Sequence, residues 1–142
     1  MKNVKEEHKI ITSDSKIVFD ENSRKIIFEN PCKVNYKKVH IDGVVINDNE
    51  RCDYLLTSED ERKEYFVELK GKDVMKACSQ LKNTITNIGE YTDDRNSFVI
   101  CTRVPPATDT GIQKQKKEKS FIMTTLGVLQ KMKTSGLIPK EI

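Results

Sequence analysis

The feature that most limits the fold is one amphipathic stretch set between two β-prone runs. Val74, Ala77, Cys78, Leu81, Ile85 and Ile88 recur at spacings of three, four and seven, so they line one face of a helix. Asp73 supplies an N-terminal cap and Gly89 a stop. Ahead of this helix, Tyr65-Phe66-Val67-Glu68-Leu69-Lys70 reads as a strand ending at Gly71. Behind it, Phe98-Val99-Ile100-Cys101 is a bare apolar run, as a strand buried on both faces requires.

The N-terminal half adds further strands. Ile17-Val18-Phe19 and Ile26-Ile27-Phe28 flank the turn residues Asp20-Glu21-Asn22-Ser23 and predict a hairpin. Asn30-Pro31 breaks the chain. A strand follows over Val39 to Ile46, bent at Asp42-Gly43, and Asn47-Asp48-Asn49 turns into a short strand from Arg51 to Leu56. The acidic stretch Ser58 to Glu64 is a loop that lets this strand pair antiparallel with the one at Tyr65. Residues 110–119 read as a Lys-rich helix, and 120–135 fits either strand or helix. The order is strands, helix, strand and a helical tail. It predicts an α/β (α+β) class with a mixed central β-sheet flanked by helices.

A chain of 142 residues is about one domain. Residues 1–15 are polar and aperiodic and predict a flexible N-terminal arm, leaving one domain over 16–142 with its core at 39–102. Aromatic residues make up 6% with no Trp, so the core must rest on Ile, Val and Leu. No N-terminal apolar signal region and no apolar run of membrane-spanning length is present, so a cytoplasmic protein is expected.

The four cysteines, at 32, 52, 78 and 101, form no CxxC pair, and the two histidines are His8 and His40. Zinc sites need closely spaced ligands, so buried reduced thiols are the favoured reading. His40 is expected as a strand residue rather than a catalytic base. No Gly-rich phosphate loop and no serine or cysteine triad pattern occurs.

Glu-x-Lys occurs three times, at Glu7/Lys9, Glu61/Lys63 and Glu68/Lys70. Only Glu68 and Lys70 lie in an apolar strand, where alternation puts both on one face and Val67 and Leu69 on the other. Pairing with the preceding strand brings Asp53 towards Glu68. Two close carboxylates repel, and a hard divalent cation relieves the repulsion. Mg²⁺ or Mn²⁺ is held by a few carboxylates, with the Leu69 carbonyl as a further oxygen ligand. Lys70 then lies where it can orient a nucleophilic water and offset charge on phosphate oxygens. As plain structure, the Glu68–Lys70 pair is a solvated couple on an exposed strand face, worth under about 1 kcal/mol.

Asp53, fourteen intervening residues, then Glu68-Leu69-Lys70 resembles the PD-(D/E)xK nuclease superfamily of restriction endonucleases, Holliday-junction resolvases and repair exonucleases. That resemblance covers about sixty residues, including the order strand, strand, strand, helix, strand over 39–102. Some members place a Gln in the helix after the motif, and Gln80 matches it. A basic residue close behind Glu-x-Lys is matched by Lys72. Cys52 stands where the motif has Pro. Many members also bring an acidic residue from an N-terminal helix; no such helix precedes residue 39, which leaves Asp42 and Glu50 as candidates for that role.

The resemblance implies a Mg²⁺- or Mn²⁺-dependent nuclease, acting on DNA ahead of RNA. Asp53, Glu68 and Lys70 are its expected catalytic residues, with Asp53, Glu68 and Leu69 around the metal. Lys72 and Gln80 are its expected substrate contacts, though Gln80 also fits the border of the core. Apart from the resemblance, the basic cluster Lys114, Lys116, Lys117 and Lys119 reads either as a phosphate-contacting patch or as a solvated helix face. A net charge of +3 does not by itself mark a nucleic-acid binder. If nucleic acid is the partner, 20 Lys against 5 Arg favours phosphate contact over base reading. A compositional bias toward Lys, Asn and Ile explains the lysines equally well. A domain this small implies a homodimer or a larger protein partner. The alternative is a non-catalytic module on the same fold, binding nucleic acid, a nucleotide or a partner protein in a defence or mobile-element system.

Overall fold

The computed structural model describes residues 1–21, 24–42, 51–69, 74–90, 94–100, 121–124 and 138–140. The described chain is a mixed α+β fold in three layers. Its nine strands are β1 (Ile10–Thr12), β2 (Lys16–Glu21), β3 (Arg24–Glu29), β4 (Tyr36–His40), β5 (Tyr54–Ser58), β6 (Lys63–Leu69), β7 (Asp94–Ile100), β8 (Phe121–Thr124) and β9 (Ile138–Lys140). One α-helix, α1, spans Val74–Ile88, and a short 3-10 turn spans Glu6–His8.

The central sheet has six strands in the order β1-β4-β5-β6-β7-β8. β4, β5 and β6 form an antiparallel meander, and β6 and β7 are parallel. Parallel neighbours need a long crossover, which α1 supplies with its 15 residues. Gly89 ends the helix: a Cβ there would sit 2.7 Å from the Ile85 carbonyl oxygen and from an Arg95 nitrogen.

Both faces of the central sheet are covered, which is why β6 is buried along nearly all its length. On one face Ala77, Cys78, Leu81 and Ile88 of α1 pack on Val39, Leu55, Phe66 and Val99. On the other face a second sheet, β2-β3-β9, lays its hairpin across the strands. Alternation in β2 and β3 points Ile17, Phe19, Ile26 and Phe28 inward onto Leu56, Tyr65, Val67 and Phe98. Each such large side chain, fully buried, contributes about 1.5–3 kcal/mol. Among the described residues, one helix covers one face and a β-layer the other, where helices were expected on the flanks.

The first residues differ from the expected loose arm. Met1 is buried against the α1 side of the core, the Lys2 amide donates to the Ile88 carbonyl at 2.9 Å, and β1 pairs with β4. Strand pairing uses backbone groups and is indifferent to polar side chains, so composition concealed it. β4 begins earlier than expected, and β9 was not foreseen. Within the stretch open to either state, Phe121–Thr124 is a strand. Asp73, Cys101 and the expected helix over 110–119 lie outside the described residues.

Cys52 and Cys78 are buried free thiols, as expected, whereas Cys32 is free and exposed just after the Pro31 break. Among the described residues, no helix is long and apolar enough to cross a membrane.

Candidate metal centre

Asp53 stands at the threshold of β5, 7% exposed and held by three backbone contacts. Its carbonyl accepts the Ile41 amide at 2.9 Å and, at 3.4 Å, the Asp42 amide. Its Oδ2 accepts the Leu69 amide at 2.7 Å, at the end of β6. The carboxylate is therefore anchored where the antiparallel meander meets the parallel crossover.

Two further carboxylates meet it. Asp42 follows β4 and is ion-paired with Arg51. Glu21 is the last residue of β2, so it arrives from the opposite layer. One oxygen from each of Glu21, Asp42 and Asp53 lies within 4.8 Å of the other two. Crowding of negative charge acts on Glu21 itself and on the adjoining Tyr54. Burial, followed by the charges of Asp53 and Asp42, raises the Glu21 carboxyl above its ordinary value. Burial, followed by the charges of Glu21 and Asp53, pushes the Tyr54 phenol up to about 12.

The residues present fit a hard divalent cation. All three donors are carboxylate oxygens, the set that Mg²⁺ and Mn²⁺ take. Oε2 of Glu21 is a buried oxygen with no hydrogen bond.

Tyr54 borders the cluster. Its ring packs on Phe19 and on His40, with centroids 4.9 Å apart in each case. His40 faces Tyr54 directly in the β4–β5 register, and its ring is exposed.

Glu68 is not the solvated side chain that the plain structural reading expects. It is 2% exposed and has the strand parity of Phe66, which belongs to the α1 side of the core. Its charge, after burial, is the main cause that raises the Cys52 thiol, and Asp53 adds to the rise. Asp53 and Glu68 thus flank Cys52, but Glu68 is outside the three-carboxylate group. Burial of Glu68 also removes the reading of it as a solvated surface charge.

Gln80 is half-buried on α1, and its Oε1 atom is buried without a hydrogen bond. Its carbonyl accepts the Thr84 hydroxyl at 2.8 Å, and the Cys52 amide donates to that hydroxyl at 2.8 Å. The helix is thereby tied to the residue next to Asp53. Lys70, Lys72, Lys114, Lys116, Lys117 and Lys119 lie outside the described residues, as does Glu50.

Asp42 is among the candidates the sequence offers, whereas Glu21 reads there as a turn residue. No local signal marks Glu21, because its role depends on how the hairpin packs across the sheet. Compared with known proteins, the chain matches no family model, no curated protein and no solved structure.

Proposed function

We propose that the chain is a metal-dependent phosphodiester hydrolase. More particularly, we read it as a nuclease with a PD-(D/E)xK, restriction endonuclease-like core, acting on DNA ahead of RNA. The observation that carries this reading is the convergence of Glu21, Asp42 and Asp53 beside the end of β6. The strand that anchors Asp53 is the one that runs into Glu68-Leu69-Lys70. The succession β4, β5, β6, α1, β7 supports it too.

In this reading Asp53, Asp42 and Glu21 hold Mg²⁺ or Mn²⁺, with Glu68 and the Leu69 carbonyl at its border. When bound, the cation polarises a phosphoryl group and lowers the pKa of a water. Asp53 is pre-set by the Leu69 amide, so little reorganisation accompanies binding. Lys70 orients the attacking water and offsets charge growing on phosphate oxygens. Lys72 and the lysines at 114, 116, 117 and 119 neutralise backbone phosphates, which makes binding salt-dependent and sequence-tolerant.

A non-catalytic module on the same core is the second reading. The observation that favours it is the burial of Glu68 outside the three-carboxylate group.

The test is cleavage of circular DNA, linear DNA and RNA with Mg²⁺, Mn²⁺ or EDTA, using wild type, Asp53→Asn and Lys70→Ala. Metal-dependent cutting that both folded variants lose supports the nuclease. No cutting by wild type, with nucleic-acid binding that is indifferent to metal, sinks it in favour of the module.

A further inference from the structure

We propose that the exposed ring of His40 is a stacking platform for an unpaired nucleobase, so that the site takes single-stranded or frayed nucleic acid ahead of intact duplex. This rests on the reading of the carboxylate cluster as a phosphodiester-hydrolysing site.

Three rings form a pile that runs from the core to solvent. Phe19 is buried under the hairpin, Tyr54 is half-buried, and His40 is exposed. Phe19 and Tyr54 are tilted by 36°, and Tyr54 and His40 are stacked at 24°. The β4–β5 register sets His40 across from Tyr54, so the outer ring is held in place before any ligand arrives. A platform ordered in advance loses little entropy on binding.

The pile stands beside the carboxylates. Charges on Glu21 and Asp53 act on the Tyr54 hydroxyl, and His40 acts on the Glu21 carboxyl. Lys38, two residues before His40 on the same face of β4, lies 5.1 Å from the centroid of the Phe19 ring and brings positive charge to that face. Tyr54 follows Asp53 and His40 stands two residues before Asp42, so a phosphate held there through a cation would put its neighbouring base near the exposed His40 ring. Bases inside a duplex are already stacked above and below. Only an unpaired or extruded base has a face to offer, and every base has one, so such a contact tolerates sequence.

The experiment is fluorescence anisotropy of a labelled single-stranded oligodeoxynucleotide and of its duplex, in Ca²⁺, with strand integrity checked on a gel. Wild type, His40→Ala, His40→Phe and His40→Lys are compared after circular dichroism has verified their folding. Wild type is expected to favour the single strand. His40→Ala should lose roughly tenfold on the single strand, as expected for one stacked base. His40→Phe should keep most of the affinity, and His40→Lys should behave like His40→Ala. Unchanged single-strand affinity in His40→Ala, or rescue by Lys but not Phe, overturns the platform. If wild type cuts DNA while His40→Ala binds normally, the platform alone fails. If binding depends on the ring but nothing is cut, the hydrolase reading alone fails. Absence of any nucleic-acid binding overturns both.

Discussion

The Leu69 amide donates to Oδ2 of Asp53 at 2.7 Å, joining a carboxylate at the entrance of β5 to the last residue of β6. One oxygen of Asp53 is thereby engaged by the backbone. The carboxylate is fixed towards Asp42 and Glu21, and three negative groups share one corner of the fold. A corner built in this way stores repulsion that a cation would relieve.

Glu21→Gln is expected to stabilise the metal-free protein. The Glu21 proton is held more tightly in the folded chain than at the ordinary value of 4.5. Once ionised, above that value, the group therefore destabilises the fold, and stability returns as pH falls through the same window. For a partly exposed group the gain at neutral pH should be small, raising Tm by roughly 1–3 °C. Mn²⁺ should raise the Tm of wild type by mass action and do so much less for the variant. Thermal denaturation with and without Mn²⁺ checks both; a lower Tm for the metal-free variant would contradict the charge argument.

Glu61 works in the opposite sense. Burial opposes its ionisation. Hydrogen bonds from Lys37, the Met1 amino group and Lys9 outweigh burial and lower its carboxyl to about 2. Lys37 is at 2.7 Å and Lys9 at 3.0 Å, so one carboxylate ties β4 to the N-terminal segment. Its contribution is complete above the ordinary value of 4.5 and is lost as pH falls towards about 2. Glu61→Gln should cost about 1 kcal/mol near neutral pH, discounted for solvent screening. Urea denaturation of the two proteins at a series of pH values should show this gap closing below pH 4.5.

Phe28 is fully buried, with its ring edge-on to Phe98 at 5.3 Å and to Phe19 at 6.0 Å. It is a main contact between the hairpin layer and the central sheet. Phe28→Ala should destabilise by about 3–5 kcal/mol through lost burial and a cavity. Because the hairpin delivers Glu21, the folded fraction of this variant should also bind Mn²⁺ more weakly. Calorimetry at low temperature would reveal that loss; unchanged Mn²⁺ affinity would dissociate the hairpin from the site.

The cysteines should separate by reactivity. Burial, with the charge of Glu68, pushes the Cys52 thiol far above its ordinary value. A thiolate is the reactive form, so Cys52 should resist iodoacetamide in the native protein, as should buried Cys78. Exposed Cys32 should be alkylated ahead of both. Peptide mass spectrometry before and after denaturation distinguishes them, and early labelling of Cys52 would contradict its burial.

Local physics wrote much of the fold into the chain. The apolar stripe from Val74 to Ile88 specifies α1, because a 3.6-residue period is a property of neighbouring side chains alone. Ile17, Phe19, Ile26 and Phe28 specify the hairpin by the same reasoning at period two. Asp53 and Glu68 stood out as candidates because a carboxylate inside an apolar run is costly without a partner, but the burial of Glu68 was not legible there.

Tertiary structure alone decided the rest. Glu21 enters the site only because the hairpin crosses the sheet on the face opposite α1, and no pattern around residue 21 encodes which face that is. Glu68 takes the helix-facing side because the register Tyr54↔Val67 and the covering helix set its parity. Residues 1–12 join the core through backbone pairing and the burial of Met1, which polar composition cannot show. Sequence fixes what each segment can form; which segments meet depends on long-range burial, whose energy is shared among residues far apart in the chain.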